Sequence, residues 1–565
     1  MIQHRWPLIA DHADGTEAAR ERYLSAAQAQ GLAGEALMAG AHAAQLLPAI
    51  WAASPYLSDQ LACWPADAAA LDATDPAAAL EALLLGTLAT TIQAGAATGD
   101  AEIMRRLRRL KRRGALAIAL ADLGGFWPLS RVTQALSALA ESTIRAALNH
   151  ALAATYRRGR LTRPPGRDPA SASGIFVLGM GKLGAHELNY SSDIDLVVFY
   201  DAECIAATDA DRVPQECVKI VRDLVRLLDE RTADGYVFRT DLRLRPDPGS
   251  TPVAISTIAA EAYYGSIAQN WERAAMIKAR TVAGDQRAAD RFMATMEPFI
   301  WRRSLDFNTV RDVAAMKRQI NAHALKPGDP VSALADYNVK LGPGGIREIE
   351  FTAQTAQLVY GGREPILRTR RTDAALVRLT RQGRLPADAP ARLLPAYTFL
   401  RTLEHRLQML DDHQTHVIPA DTHARQVFVR FAGYPDEAAL AHDLSQHRDA
   451  VRALYGRTVN QSAGENGGDR NSTGVDPLQA SDLALPEGSL VFTGVDDDPE
   501  TLETLRRLGY RDPARAAALV RGWHYGRARA TRSRRASELL TEVLPQLLKR
   551  FGVCVDPDAA LLNFD

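Results

Sequence analysis

A chain of 565 residues exceeds what one hydrophobic core serves, so two or three domains are expected. Hydrophobic residues at 47% and charged residues at 24% exclude both a disordered chain and a membrane protein; Lys plus Arg equals Asp plus Glu at 67 each, so no global field draws the chain to nucleic acid or anionic lipid. The four cysteines, Cys63, Cys204, Cys217 and Cys554, form no CxxC pair, and neither a signal-peptide pattern nor a bilayer-spanning apolar run occurs, which excludes a disulfide framework and predicts a cytoplasmic protein with no membrane partner.

Residues 1–160 are rich in alanine and leucine with helical periodicity, interrupted by Pro55, Pro65, Pro76 and Pro128, and predict an N-terminal bundle of short helices. The basic run Arg105 to Arg113 places Leu107 and Leu110 on one helical face, so it reads as a solvated helix side with inward leucines rather than a nucleic-acid patch. After the Arg-, Pro- and Ser-rich loop from Arg163 to Ser173, strands are predicted at Gly174 to Gly179, Ile194 to Tyr200 and Tyr236 to Arg245. Between the last two, Cys217, Val221, Leu224 and Leu228 recur at helical spacing. Residues 174–285 therefore form an α/β core, and residues 286–459 a second helical domain completing a cleft. That domain contains the turn Gly342 to Gly345 and a long amphipathic helix through Phe399, Leu403, Leu407 and Leu410. Residues 460–478, rich in Gly, Asn and Ser, read as a linker, and residues 479–565 as another helical module.

The segment GMGKLG, Gly179 to Gly184, follows a strand and matches the dinucleotide-binding fingerprint. Only Ala185 to Ser192 then separates it from the next strand, room for about two helical turns and too little for a full crossover helix, so a Rossmann unit is rejected. In the strand Asp193-Ile194-Asp195-Leu196, alternation puts both acids on one face. Two carboxylates so placed repel each other unless a cation lies between them, and hard Mg²⁺ takes such oxygen ligands. On the third predicted strand Arg239, Asp241, Arg243 and Arg245 share a polar face, and a neighbouring antiparallel pairing would bring Asp241 to the other two acids. Asp193, Asp195 and Asp241 are thus the predicted metal ligands and catalytic carboxylates of a two-metal site. Gly181, Lys182, Ser192, Arg243 and Arg245 are predicted to cradle phosphate, joined by Lys278 from a helix also bearing Trp271, Glu272, Arg273 and Arg280. His405, His413 and His416 with Asp411 and Asp412 follow a helix and its exit, and are expected to cap or stay solvated rather than bind zinc.

This pattern resembles the polymerase-β type of nucleotidyltransferase. The wording GMGKLGAHELNYSSDIDLVVFY, RTDLRLRPDPG, NWERAAMIKARTVAGD, KLGPGGIREIEF and EHRLQMLDDHQTHVIP, in that order, is similar to the bifunctional glutamine synthetase adenylyltransferase and adenylyl-removing family. The resemblance is to its N-terminal, adenylyl-removing half and the start of its regulatory region, with the chain either a fragment of a longer protein or a natural half-length relative. It implies an α+β fold, a mixed sheet embedded in mostly helical bundles, and adds Lys340, Arg347 and Glu350 as cleft residues. It also implies removal of an adenylyl group from a tyrosine of glutamine synthetase by orthophosphate, releasing ADP and regulating nitrogen assimilation, with Mg²⁺ as cofactor and a PII-type signalling protein as partner. The alternatives are adenylylation of glutamine synthetase from ATP, and a regulatory binding module with a decayed site; intact Asp193, Asp195 and Asp241 speak against the latter. Polymerisation of nucleic acid is disfavoured by the neutral charge.

Overall fold

The computed structural model describes residues 5–10, 15–93, 99–164, 168–207, 209–302, 334–464 and 499–524, and parts of 544–564. Its N-terminal part is a helical bundle, and the prolines mark where helices begin: Pro55 and Pro76 open the helices Pro55–Cys63 and Pro76–Gln93, and Pro128 precedes α2. Proline suits a first turn because the missing N–H would have no intrahelical partner there. Two long helices, α1 (Asp100–Leu123) and α2 (Leu129–Arg157), carry the bundle to the sheet. The basic run lies on α1 but is not merely a solvated side. Arg108 is fully buried and donates to the carbonyls of Leu227 at 3.1 Å and Gly235 at 2.8 Å, and Lys111 is buried against Asp412 at 3.4 Å. An interior position for these charges is tolerable because each meets carbonyl or carboxylate oxygens.

The sheet has five strands: β1 (Ile175–Gly179), β2 (Ile194–Tyr200), β3 (Thr240–Asp241), β4 (Ala254–Ser256) and β5 (Arg280–Gly284). Its order is β3-β2-β1-β5, with β4 also on β2. β1 runs antiparallel to both β2 and β5, so the GMGKLG segment does not open a parallel dinucleotide-binding unit. Helix α3 (Val213–Asp229) crosses from β2 to β3 and makes the β2–β3 pairing parallel, a correction to the antiparallel pairing expected from alternation. Alternation reports which side chains share a face but says nothing about chain direction. The third strand is also shorter than expected: of Tyr236 to Arg245 only Thr240 and Asp241 pair, and the chain then turns through Pro246 and Pro248 before β4 rejoins the same edge of β2. Proline supplies no ladder donor, so a longer strand ending there is not sustainable.

Side chains alternate across the sheet into two cores. Ile194, Leu196 and Val198 pack with the bundle helices and α3, whereas Val197 and Phe199 pack with Phe176 and Phe292 on the other side. Each such side chain contributes about 1.5–3 kcal/mol on burial, which leaves the register little freedom to slip. A second helical part contains α5 (Ile346–Tyr360) and α6 (Ala389–Asp411) around its own core. Helix α6 was expected to be amphipathic, yet Arg401, Glu404, His405, Arg406 and Gln408 are all buried, because α6 lies between the bundle, the sheet loops and α5. The expected linker is helical at its start, since Glu437–Gly464 is one helix; the rest of 460–478 lies outside the described residues. The C-terminal helices gather around Leu505, Val520, Trp523 and Leu548. No helix among the described residues is long and apolar enough to cross a membrane.

Candidate active site

The β2–β3 edge carries two of the three carboxylates, and the third lies just ahead of it. Parallel register sets Asp195 beside Asp241, and Asp193 stands one residue ahead of β2 rather than within it. The turn that faces them is the glycine segment. Gly181 sits at φ +49° and starts a single helical turn, Gly181–Gly184, where a Cβ would come within 3.2 Å of Asp195 Oδ2. The stretch Ala185 to Ser192 is not helical, contrary to expectation: it is an irregular segment with turns, pinned by buried side chains, Glu187 and Asn189 among them. Burial first, and then the charge of Asp241, push the Asp195 carboxyl up to about 6, with Lys340 opposing and Asp193 adding to the rise. Asp241 goes the other way. Burial raises it, but Arg243 outweighs this through its backbone N–H at 2.7 Å and its guanidinium at 2.7 Å, holding the carboxyl below its usual range.

Asp193 is gripped from two sides. Arg239 Nε donates to Oδ1 at 2.7 Å, and the Gln414 amide nitrogen, turned toward the acid, reaches Oδ1 at 3.2 Å and Oδ2 at 3.0 Å. With Asp193 and Asp241 turned to these partners, no three His, Cys, Asp or Glu side chains among the described residues stand grouped as a ready metal cage. The donor chemistry nonetheless fits a hard divalent cation. All three are carboxylates, the hard oxygen donors such a cation takes, and the Asp195 carboxyl is raised first by burial and then by the charges of Asp241 and Asp193.

The expected phosphate-binding residues divide. Lys182 lies next to the acids' turn with its ammonium 3.0 and 3.1 Å from the Glu404 carboxylate. Burial lowers Lys182 to about 8 against the pull of Glu404, with Arg401 and Lys340 lowering it further. Glu404 itself, although burial opposes ionisation, is kept well below the carboxylate range by Lys182, His416 and Arg401. Ser192 is half-buried beside Asp193. Arg243 is half-exposed on Asp241. Arg245 is instead committed to the carbonyls of Leu242 at 2.9 Å and Pro248 at 2.7 Å, where it shapes the β3–β4 loop. Lys278 is no surface phosphate contact either. Helix α4 (Asn270–Ile277) ends before it, Arg280 already belongs to β5, and Lys278 is buried on Glu187 at 2.9 Å and Thr372 at 3.1 Å.

Among the cleft residues, Lys340 acts electrostatically on Asp195, Lys182 and Glu350. Glu350 is held low, against its burial, by Lys278, Lys182 and Arg401. Arg347 is exposed on α5 and is not brought to the acids. The histidines scatter: His405 is buried on Asp122 at 3.1 Å, not solvated, His416 lies 2.9 Å from Glu404, and His413 is exposed. Sequence reasoning missed Glu404, Arg401, Glu187, Arg239 and Gln414. A signal was present for Glu404, four residues after Leu400 and three before Leu407, a charge inside the apolar stripe of a helix.

Comparisons with known proteins give the chain's family. A family model described as glutamate-ammonia ligase adenylyltransferase matches residues 44–295, and one described as GlnD PII-uridylyltransferase matches residues 314–459. The chain is 45% identical to the bifunctional glutamine synthetase adenylyltransferase/adenylyl-removing enzyme of Rhizobium meliloti (strain 1021), covering 92% of this chain and 51% of that protein. The same-named proteins of Xanthobacter autotrophicus and Agrobacterium fabrum are 44% and 46% identical, over 91% and 82% of this chain and 49% and 45% of theirs. The chain thus spans about half the length of the curated relatives it matches. It belongs to the glutamine synthetase adenylyltransferase/adenylyl-removing family.

Proposed function

We propose that this chain removes an adenylyl group from a tyrosine of glutamine synthetase by phosphorolysis. The observation that carries the reading is the parallel register that sets Asp195 beside Asp241 at the edge faced by the Gly181 turn. In the proposed reaction an orthophosphate oxygen attacks the adenylyl phosphorus in line with the tyrosine oxygen. The P–O bond to tyrosine breaks, that oxygen takes up a proton, and ADP leaves. Asp193, Asp195 and Asp241 are the residues that would hold Mg²⁺, which when bound in pairs neutralises charge at the attacked phosphorus and at the departing oxygen. Arg243 and Lys182 would offset the repulsion between a phosphate dianion and the anionic phosphodiester, and Ser192 and the Gly181 turn would orient the phosphate. Lys340 joins them on the strength of its charge beside Asp195.

The relatives bear a name for both directions, and transfer from ATP to the tyrosine is the second reading, since the same acids serve either direction. The wording of GMGKLG and REIEF favours removal. A PII-type signalling protein is proposed as regulatory partner on the match of residues 314–459. The test supplies adenylylated glutamine synthetase, Mg²⁺ and graded orthophosphate. ADP should appear in proportion to phosphate, and unmodified glutamine synthetase should take up no label from ATP. AMP released without phosphate, or efficient labelling from ATP, would overturn the assignment of direction.

A further inference from the structure

Asp193 lies ahead of β2 and has no ladder hydrogen bond to orient it, so something else must set its direction. The Arg239 guanidinium does so with all three nitrogens engaged. Nε donates to Asp193 Oδ1 at 2.7 Å, Nη1 to the Tyr236 hydroxyl at 2.6 Å, and Nη2 to the Ser191 carbonyl at 3.0 Å and hydroxyl at 3.1 Å. A planar fork held at four points cannot swivel, so the donor aimed at Asp193 is fixed. The anchor continues outward. Tyr236 donates to Asp412 Oδ2 at 2.9 Å, Ser191 donates to the Asp412 carbonyl at 2.8 Å, and Lys111 of α1 lies 3.4 Å from the same Asp412 carboxylate. Asp412 ends α6 in the left-handed conformation at φ +52°. The Arg239 and Lys111 cations lie 5.4 and 5.2 Å from the centre of the Tyr236 ring.

We infer that Arg239 is a positioning residue for Asp193, and that the Tyr236–Asp412 contact makes the aim of this acid depend on the docked end of α6. The inference rests on the nucleotidyltransferase reading of the three aspartates. The bundle through Lys111, the second helical part through Asp412 and the sheet through Arg239 then all bear on one carboxylate. Gln414, which also reaches Asp193, is exposed, whereas Arg239 is held by its further partners Tyr236 and Ser191.

The experiment uses the full chain with Tyr236→Phe, which keeps the ring and every charge but removes the hydroxyl, and Arg239→Lys, which keeps the charge but not the fork. Mn²⁺ alone, titrated by calorimetry into chelator-treated protein, is the first readout; kcat and KM for ADP release and the melting temperature are the others. Tyr236→Phe should weaken Mn²⁺ binding and lower kcat, each about tenfold, the size typical of losing a hydrogen bond that orients a metal ligand, with KM unchanged. The double variant should be no worse than the worse single one, because both break one chain of contacts. Unaltered Mn²⁺ binding in both variants, multiplicative effects in the double, or lost activity that tracks a lowered melting temperature alone would each overturn the role of Arg239. Failure of the unsubstituted chain to bind Mn²⁺ would overturn this inference together with the metal-site reading, whereas normal binding without ADP release would overturn only the proposed reaction.

Discussion

Asp195 is where charge, burial and chemistry conflict most openly. Its carboxyl is pushed up to about 6 from the ordinary 3.8, first by burial and then by Asp241. In metal-free protein the native state therefore keeps a proton that the unfolded chain has released, so stability falls as pH rises from about 4 to about 6, and the deficit persists above. Asp195→Asn, compared in chelator by urea denaturation, should raise stability by up to about 2 kcal/mol at pH 8 and by almost nothing at pH 4. An equal gain at both values would point to a hydrogen bond rather than to relieved charge. The placement of this acid on an apolar strand was legible from alternation, whereas Asp193, expected on the same strand, stands one residue ahead of it. The counter-charges of Asp195 were not legible, because Lys340 lies 145 positions away in the chain and reaches the site only through folding.

The glycine segment shows how an element can be read correctly as special and wrongly in detail. Gly184 has no room for a side chain: a Cβ there would stand 2.0 Å from the Lys278 carbonyl oxygen and 2.4 Å from that of Gly179. Both obstacles are backbone and cannot rotate away. Gly184→Ala should therefore force the turn off the sheet and cost about 3 kcal/mol or more, seen as a lowered urea midpoint, whereas Gly86→Ala, with open space at its Cβ, should lose nothing. The sequence showed that a full crossover helix was impossible between Gly184 and Asp193, and the antiparallel β1–β2 pairing is the outcome. It did not show that the helical turn occupies the glycines themselves rather than Ala185 to Ser192. Helix propensity disfavours that choice, and the buried hydrogen bonds of Glu187 and Asn189 to Thr372 and Arg401 override it.

At the scale of the molecule, Arg108 joins the bundle to the far end of α3. It is fully buried and supplies donors to the carbonyls of Leu227, Glu230 and Gly235 as the chain leaves α3 for β3. Arg108→Ala removes a buried donor from these carbonyls, of which Gly235 keeps the Thr232 N–H at 2.9 Å, and opens a cavity, a loss of about 3 kcal/mol in chemical denaturation. A change under about 0.5 kcal/mol, the size expected of a surface residue, would show that water replaces it. The sequence by itself determined the periodic elements and the acid-bearing strand, because spacing and composition act over a few residues, while the mixed α+β class came with the family resemblance. Only the tertiary structure decided that β3 runs parallel to β2, that Arg245 and Lys278 are spent on internal partners, and that Glu404 and Arg239 stand beside the cleft. These turn on which distant charges share a buried volume, where an ion without a partner is costly. No local pattern in the chain records that choice.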